Sequence, residues 1–279
     1  MWGLRFGLDY TGGSLMEVTF AESKPDTGEI EKLFQAENLA PVGVQPAAGN
    51  SVILKFRTID EAKHQELLAK FANIKAGAVK ETRFESVGPI IGSELKRKSV
   101  WAIVIALFFI VSYISWAFRK VSYPVESWKY GIAAILALAH DIILPLGVFS
   151  ALGHFYGVEI DSLFVTAILT VLGFSVHDTI VVFDRIRENL YKHVQIDFDA
   201  TVNKSVNETI MRSINTSLTT LLVLVALYLF GGESIRYFTL TLIIGITVGT
   251  YSSIFVASPL LVDWHRFSAK AVVGKKVRR

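Results

Sequence analysis

The chain contains no cysteine, which excludes a disulfide framework and a thiolate metal site and leaves the redox compartment unspecified. Charge is also scarce: Asp, Glu, Lys and Arg make up 19% of the 279 residues, and the formal net charge is only +3. This excess is too small to indicate a nucleic-acid partner, and the sequence has no stripe of basic and aromatic residues. The first 98 residues contain no long apolar run of the kind that a signal peptide uses.

Apolar residues, by contrast, are abundant. They make up 52% of the chain, and the mean hydropathy is +0.45, which is typical of a multi-spanning membrane protein with a soluble part. Five runs are long enough to cross a bilayer: 99–118, 130–153, 162–183, 213–230 and 237–262. We therefore predict an N-terminal domain at 1–98, an α-helical membrane bundle at 99–264 and a basic tail at 265–279.

The Lys and Arg residues that flank these runs predict the orientation of the chain. Fourteen of them fall on one side of the membrane, and only Arg236 falls in the connections on the other side. This places the tail in the cytoplasm and the N-terminal domain outside, although Lys96, Arg97 and Lys98 oppose that orientation. Export of the domain requires an earlier apolar segment, so we expect a sixth span upstream in the native gene.

The N-terminal domain has the pattern of alternating strands and helices. Strands are predicted at 15–20, 42–45, 51–58 and 79–87, and amphipathic helices at 28–38 and 60–73, the second capped by Asp60. This β-α-β-β-α-β order predicts an α+β, ferredoxin-like fold. His64 lies on the second helix and is expected to face solvent.

An acidic residue in the third apolar run, Asp178 in SVHDTIVV (175–182), is the first candidate for a functional group. A carboxylate at a helix centre costs about 2.5–3.5 kcal/mol on insertion scales, so it needs a polar partner or must avoid lipid. Asp178 lies about 7–8 Å from the cytoplasmic end of its span, and Arg185 follows at i+7. Either the side chain reaches the interface by itself, or it is buried against another polar helix, which we favour.

Arg212 is the candidate partner of Asp178. It opens the fourth run together with Asn215, Thr216 and Thr219, which form one polar stripe at a depth similar to that of Asp178. Alternatively, Arg212 is only a cytoplasmic anchor and the threonines bond back to their own helix. Spacing alone does not decide between these two interpretations.

Other polar or helix-breaking residues in the spans are His140, Asp141, Pro145 and His177. Pro145 removes the hydrogen bond to the Asp141 carbonyl, so Asp141 either satisfies the freed backbone or acts as a second relay group. The histidines can titrate near neutral pH, but each is more often a packing residue. A metal bound by these residues is a further alternative, although no pattern in the sequence fixes the register of the helices.

Two glycine motifs are interpreted as structural. The last run carries Thr241, Gly245, Gly249 and Ser253 at four-residue spacing, a small-residue ridge that lets helices approach closely. Gly12 and Gly13, in GLDYTGGS (7–14), lack the Gly-Lys-Ser/Thr of a phosphate loop and are expected to form a turn. The sequence also lacks the GxGD pattern of an intramembrane aspartyl protease, and GFSVH (173–177) is no serine-protease signature.

Six segments resemble the SecF family of bacterial protein-export membrane subunits, within the resistance–nodulation–division superfamily. They are GLDYTGGS (7–14), ESVGP (85–89) with LAHD (138–141), SVHDTIVVFDRIREN (175–189), NKSVNETIMRSINTSLTT (203–220) and IGITVGTYSSIFVASPLL (244–261). The segments occur in family order along the whole chain. Family members have six spans, so this sequence departs from the family pattern by the absence of the first one.

The resemblance implies a function in the bacterial inner membrane. Members pair with SecD beside the SecYEG translocon and use the proton-motive force to help move unfolded exported polypeptides outward, with no cofactor and no enzymatic reaction. YajC and YidC are further candidate partners, membrane lipid surrounds the spans, and no metal or nucleic acid is expected. The membrane acid and arginine of the family match Asp178 and Arg212. A small-molecule exporter of the same superfamily, an intramembrane aspartyl protease and a passive scaffold are the alternatives.

Overall fold

The computed structural model describes residues 3–21, 26–39, 43–47, 49–74, 79–119, 125–192 and 197–277. The chain forms two compact units, Phe6–Val100 and a second unit of Met1–Arg5 with Trp101–Arg279. Together they confirm the predicted fold class, a multi-spanning helical protein with an N-terminal α+β domain.

The first unit is a four-stranded antiparallel sheet with helices. Its elements are α1 (Leu8–Thr11), β1 (Gly13–Phe20), α2 (Thr27–Ala36), β2 (Gly43–Pro46), β3 (Ser51–Phe56), α3 (Glu61–Ile74) and β4 (Val79–Val87). The strand order β2-β3-β1-β4 agrees with the ferredoxin-like arrangement that the sequence predicts. Asp60 caps α3, because its carboxylate accepts a bond from the Lys63 amide at 2.9 Å.

Strand alternation builds the core of this unit. Every second residue of β1 and β3 is buried on one face of the sheet, and apolar residues of α2 and α3 cover that face. The buried set is Met16, Val18, Phe20, Ile30, Phe34, Val52, Leu54, Phe56, Leu67 and Phe71. The two-layer packing follows directly from the periods of 2 and 3.6 in the sequence.

The prediction that His64 faces solvent is wrong. The side chain is buried, and its ring stacks on Phe84 at 3.8 Å between centroids. Its Nε2 atom lies 2.8 Å from a carboxylate oxygen of Glu81, and its Nδ1 atom lies 3.2 Å from one of Glu61. The reason is helical periodicity, since residue 64 shares the inward face of α3 with the buried positions at i+3 and i+7.

A cluster of ion pairs joins α2 to α3. Glu37, directly after α2, bonds to Lys63 at 2.6 Å and to Lys70, while Glu66 bonds to the same two lysines at 2.9 and 2.5 Å. Hydrogen bonds from Lys70 and then Lys63 lower the pKa of Glu66 to about 2. The cluster is therefore fully charged at neutral pH.

Gly12 and Gly13 lie at the sharp turn between α1 and β1. Gly12 has φ +71° and Gly13 has φ +132°, conformations that favour glycine. A Cβ atom on Gly12 would lie 2.8 Å from Cα of Pro89, at the start of the next helix. Space as well as backbone conformation therefore requires glycine at position 12.

The second unit is a bundle of long helices. They are α4 (Pro89–Ala117), which begins in the first unit, α5 (Ser127–Tyr156), α6 (Ser162–Lys192), α7 (Phe198–Phe230), α8 (Glu233–Ser252), a π-helical turn (Ser253–Ala257) and α9 (Ser258–Val277). Among the described residues, five helical segments are long and apolar enough to span a membrane, the last running continuously over Glu233–Phe267. This agrees with the five predicted spans, although the helices extend beyond the apolar runs, most of all α7.

The glycines of the last span lie where α8 packs against α6. A Cβ atom on Gly245 would lie 2.2 Å from the Val171 side chain, and one on Gly249 would lie 2.9 Å from Cβ of Ser175. The two helices thus approach each other more closely than any larger residue at these positions permits. This close approach brings the short side chains of α6 and of the last span within reach of one another.

We expect Gly245→Ala to destabilise the bundle, because the added methyl group overlaps Val171. Overpacking of this kind costs about 1–3 kcal/mol. Gly147→Ala in α5 is the matched control: no atom lies within 4 Å of its Cβ position, so it should be neutral or stabilising by up to ~1 kcal/mol. Thermal unfolding in detergent measures both, and equal melting temperatures for the two variants would contradict the packing argument.

Candidate functional site

Two carboxylates are buried inside the helical bundle. Asp141 lies on α5 and is 0% exposed, and Asp178 lies on α6 and is 8% exposed. Asp178 belongs to the inward stripe of α6, where Val171, Ser175 and Val182 are also buried. The bundle therefore removes both acids from the lipid-facing surface, which favours burial of Asp178 over a side chain that reaches the interface.

Asp141 is surrounded by hydrogen-bond donors from three helices. Its Oδ2 atom accepts bonds from the hydroxyls of Ser175 on α6 and of Ser252 on α8, the latter at 2.7 Å. Its Oδ1 atom lies 3.0 Å from Nδ1 of His140. The carboxylate thus binds side chains of neighbouring helices. These are not the backbone contacts expected if Asp141 compensated for the hydrogen bond that Pro145 removes.

Asp178 is held by two serines from two other helices. Ser213 on α7 donates to Oδ1 at 2.5 Å, and Ser253 in the π-helical turn donates to Oδ2 at 2.6 Å. All three side chains are buried. Both oxygen atoms of the carboxylate therefore have a neutral donor, which reduces the cost of keeping a charge in an apolar bundle.

Adjacent residues of the last span serve the two acids. Ser252 donates to Asp141 and its neighbour Ser253 donates to Asp178, although the acids lie on different helices. The π-helical turn begins at Ser253. The hydroxyl of Ser258, directly after the turn, donates to the Ser253 carbonyl at 3.0 Å. A π turn inserts an extra residue into the helix and is frequently found at functional sites.

The C-terminal end of α6 and the N-terminal part of α7 carry a separate polar cluster. Arg185 donates to Glu208 at 2.6 Å and to Glu188 at 2.6 Å, and Asn189 donates to Ser205 at 3.0 Å and to Glu208 at 2.8 Å. Arg185, which the sequence places on the same face as Asp178, is therefore bound to glutamates. This cluster fixes the start of α7 against α6.

Arg212 has a different environment from Asp178. Its side chain is exposed, as are Asn215, Thr216 and Thr219. Thr216 donates to the Arg212 carbonyl at 2.9 Å, and Thr219 donates to that of Thr216 at 2.9 Å, so both threonines bond back to their own helix. Over the described ranges no ion pair joins Asp178 to Arg212, and their pairing stays a prediction.

The two histidines of the predicted site differ as well. His140 is partly exposed and contacts Asp141, whereas His177 is exposed and points away from the inward stripe of α6. Within the residues that the structure describes, no group of three or more His, Asp or Glu side chains is arranged to hold a metal ion. The pair His177–Asp178 in the sequence is thus one buried group and one outward neighbour.

The hydrogen-bond donors of the site were not identified from the sequence. Ser175, Ser213 and Ser252 are absent from the predicted set, and Ser253 entered it only as part of a small-residue ridge. One pattern in the sequence could have indicated such donors: serines at four-residue spacing in an apolar helix, as at positions 213 and 217. The partner of each hydroxyl depends on the register between helices, which local patterns do not encode.

Family models match most of the chain. The model described as "Protein export membrane protein SecD/SecF, C-terminal" matches residues 66–267, and the "SecD/SecF GG Motif" model matches residues 3–24. Among curated relatives, the protein translocase subunit SecF of Thermobaculum terrenum is 43% identical over 95% of this chain and 86% of its own length. That of Vibrio alginolyticus is 40% identical over 92% and 79%.

Solved structures agree with these matches. The crystal structure of SecDF, a translocon-associated membrane protein from Thermus thermophilus, matches this chain with a TM-score of 0.77 and 35% identity. The match covers 94% of this chain but only 34% of that longer chain. A second SecDF structure, in a super-membrane-facing form, has a TM-score of 0.69 and 33% identity and covers 98% and 36%. The chain therefore belongs to the SecD/SecF family of protein-export membrane proteins.

Proposed function

We propose that this chain is a SecF-type subunit of bacterial Sec protein export and that it uses the proton-motive force by protonating Asp178. The observation that carries the proposal is the environment of this residue: a buried carboxylate whose two oxygens are each bound by a serine hydroxyl from a different helix. A group that links three helices and can change its charge is suited to convert proton binding into helix movement.

The chemistry of the serine contacts supports this role. An ionised carboxylate only accepts hydrogen bonds, whereas a protonated one also donates, and a hydroxyl can do either. When Asp178 takes up a proton, the charge-assisted bonds from Ser213 and Ser253 become neutral bonds, which are weaker. The attraction that holds α7 and the last span to α6 decreases, and the helices can shift.

Arg212 provides the second state of the proposed cycle. It directly precedes Ser213, so the two side chains leave α7 about 100° apart around the helix axis. Rotation of α7 in one of its two senses removes Ser213 from Asp178 and brings Arg212 toward the carboxyl group. We propose that protonation releases Asp178 from the two serines, that α7 then rotates, and that the ion pair with Arg212 forms when the proton leaves Asp178. We also propose that the domain at residues 1–98 changes position with this cycle.

The available energy is sufficient for such a switch. One proton that crosses the membrane gains about 2.3 kcal/mol per 100 mV. The difference between a charged and a neutral hydrogen bond is of the order of 1 kcal/mol each, and Asp178 makes two of them. The gain from one proton is therefore comparable to the change in helix contacts that it has to drive.

The exposed polar stripe of α7 supports a partner within the membrane. Arg212, Asn215, Thr216 and Thr219 are exposed within the described part of the chain, and a charge that faces lipid is costly. We propose that a SecD-type subunit covers the stripe and that the pair acts beside SecYEG on unfolded exported polypeptides, with YajC and YidC as further candidates. In this role the chain transports protein and performs no enzymatic reaction.

Replacing Asp178 tests the proton-binding role. We expect Asp178→Asn to abolish proton-driven export, because the side chain keeps its size but cannot change charge, while membrane insertion and assembly remain intact. Asp184→Asn is the matched control on the same helix, since Asp184 is an exposed partner of Arg187 at the end of α6. Secretion of a reporter protein and proton flux in reconstituted vesicles measure the effect. Normal secretion by Asp178→Asn would refute the role.

The absence of cysteine allows a direct test of orientation. We propose that the domain at 1–98 is extracytoplasmic and that the tail at 265–279 lies in the cytoplasm of a bacterial cell. A single cysteine at Ser234, in the first turn of α8, should react with an impermeant maleimide added to intact spheroplasts. One at Asn203, near the start of α7, should react only after permeabilisation. Both side chains are exposed, and the reverse labelling pattern would contradict the orientation.

The position of the partner can be tested on α7 itself. Thr216 and Leu218 are both exposed and differ in depth by about 3 Å, but they point about 160° apart around the helix. A photoreactive group on Thr216→Cys should cross-link to the SecD-type subunit, whereas the same group on Leu218→Cys should give little cross-link. Equal cross-linking from the two positions would exclude the polar stripe as the contact surface.

A further inference from the structure

We propose that Asp141 is a second proton-binding group of the bundle and that the adjacent serines Ser252 and Ser253 couple its protonation to that of Asp178. The proposal rests on the proposed function of Asp178 and adds a positioning role for the π-helical turn. It starts from the observation that two acids on different helices bond to neighbouring residues of one span.

Each of these serines has one hydrogen and two acceptors within reach. The Ser252 hydroxyl lies 2.7 Å from Asp141 and 3.1 Å from the carbonyl of Gly249. The Ser253 hydroxyl lies 2.6 Å from Asp178 and 3.0 Å from the carbonyl of Thr250. Because a hydroxyl donates only once, each serine has to choose between the carboxylate and its own helix.

The protonation state of each acid decides this choice. An ionised carboxylate attracts the hydroxyl hydrogen. A protonated carboxyl group can donate its own hydrogen to the serine oxygen, and the hydroxyl is then free to donate to the backbone carbonyl one turn earlier. Each acid therefore acts on the hydrogen bonding of the same short stretch of the last span, residues 249 to 253.

The packing around this stretch transmits the change. Gly249 contacts Ser175, and Ser175 itself donates to Asp141, so this part of α8 is held closely against α6. Ser253 begins the π-helical turn, in which backbone hydrogen bonding differs from that of the α-helix on either side. A shift of Ser252 relative to Asp141 thus moves Ser253 relative to Asp178 through one peptide bond.

The charged and titratable groups around the two acids are few. On α5, His140 directly precedes Asp141. Its partly exposed ring lies 3.0 Å from the Asp141 carboxylate and provides a route for proton exchange. On α6 the other titratable group near this level is the exposed His177, and on α7 it is the exposed Arg212. The last span has no Asp, Glu, Lys, Arg or His between residues 237 and 262.

Infrared difference spectroscopy of the chain in complex with its SecD-type partner, reconstituted in lipid, tests the coupling. A pH titration follows the carbonyl band of protonated carboxyl groups, which Asp178→Asn and Asp141→Asn assign to the two residues. We expect Asp141→Asn to remove one band and to change the titration midpoint of the remaining band, because the two acids bond to adjacent serines of one span.

Variants of Ser252 distinguish a role of its hydroxyl in coupling the two acids from a role of the side chain in packing alone. Ser252→Ala retains both acids and should shift both midpoints, whereas Ser252→Thr, which keeps the hydroxyl, should restore the wild-type midpoints. Ser217→Ala is the control, because Ser217 is buried but bonds to Thr250 and to the Ser213 carbonyl. Its midpoints should equal those of the wild type. Ser252→Ala also carries the test if Asp141→Asn does not assemble.

Two results would overturn the coupling. One is a carbonyl band that Asp141→Asn does not remove, since Asp141 then does not titrate. The other is an Asp178 midpoint that neither Asp141→Asn nor Ser252→Ala changes. The first result removes the proton-binding role of Asp141 together with the coupling, and the second removes the coupling; with loss of export in Asp178→Asn, the proposed function stands in both cases. Normal export by Asp178→Asn instead removes the proposed function.

Discussion

A carboxylate buried in an apolar bundle needs hydrogen-bond donors, and these donors must be neutral if the carboxylate is also to take up a proton. This constraint organises the membrane unit. Both oxygen atoms of Asp178 accept hydrogen bonds from hydroxyls, those of Ser213 and Ser253, so these partners are neutral. A permanent cation in direct contact would stabilise the ionised form strongly and oppose protonation. Hydroxyls, which both donate and accept, suit a carboxyl group that alternates between two forms.

Short donors impose a second constraint, which is close approach of the helices. A serine hydroxyl extends only two bonds from the backbone, so the helix that carries it must lie near the acid. Gly245 and Gly249 provide this proximity, because a Cβ at either position would overlap α6. The small-residue ridge and the buried acids are therefore parts of one arrangement, in which packing supplies the geometry that the polar contacts need.

The sequence predicted the features that depend on local periodicity or on the free-energy cost of placing a charge in an apolar segment. The order of the N-terminal elements followed from periods of 2 and 3.6, and Asp178 was recognised because an acid in an apolar run is expensive. The burial of His64 was not predicted, because a single polar residue in a helix does not show whether its side chain lies on the buried face or the exposed face. The serines and the π-helical turn were missed, since both depend on contacts between helices. No local pattern fixes the register that brings Ser252 to Asp141 and Ser253 to Asp178.

The polar residues of the spans fall into two classes with different consequences. Asp141, Asp178 and their serines are buried, and the chain itself satisfies their hydrogen bonds. Arg212 and Asn215 are exposed on α7 at a similar depth, and no other helix of the described ranges covers them. In lipid the first class has its hydrogen-bond partners within the bundle, whereas the second is the surface on which we propose that a second subunit lies. In the proposed cycle the charge switch thus lies within one chain, and the polar stripe next to it is the proposed contact surface for a second subunit, so both proposals involve α7.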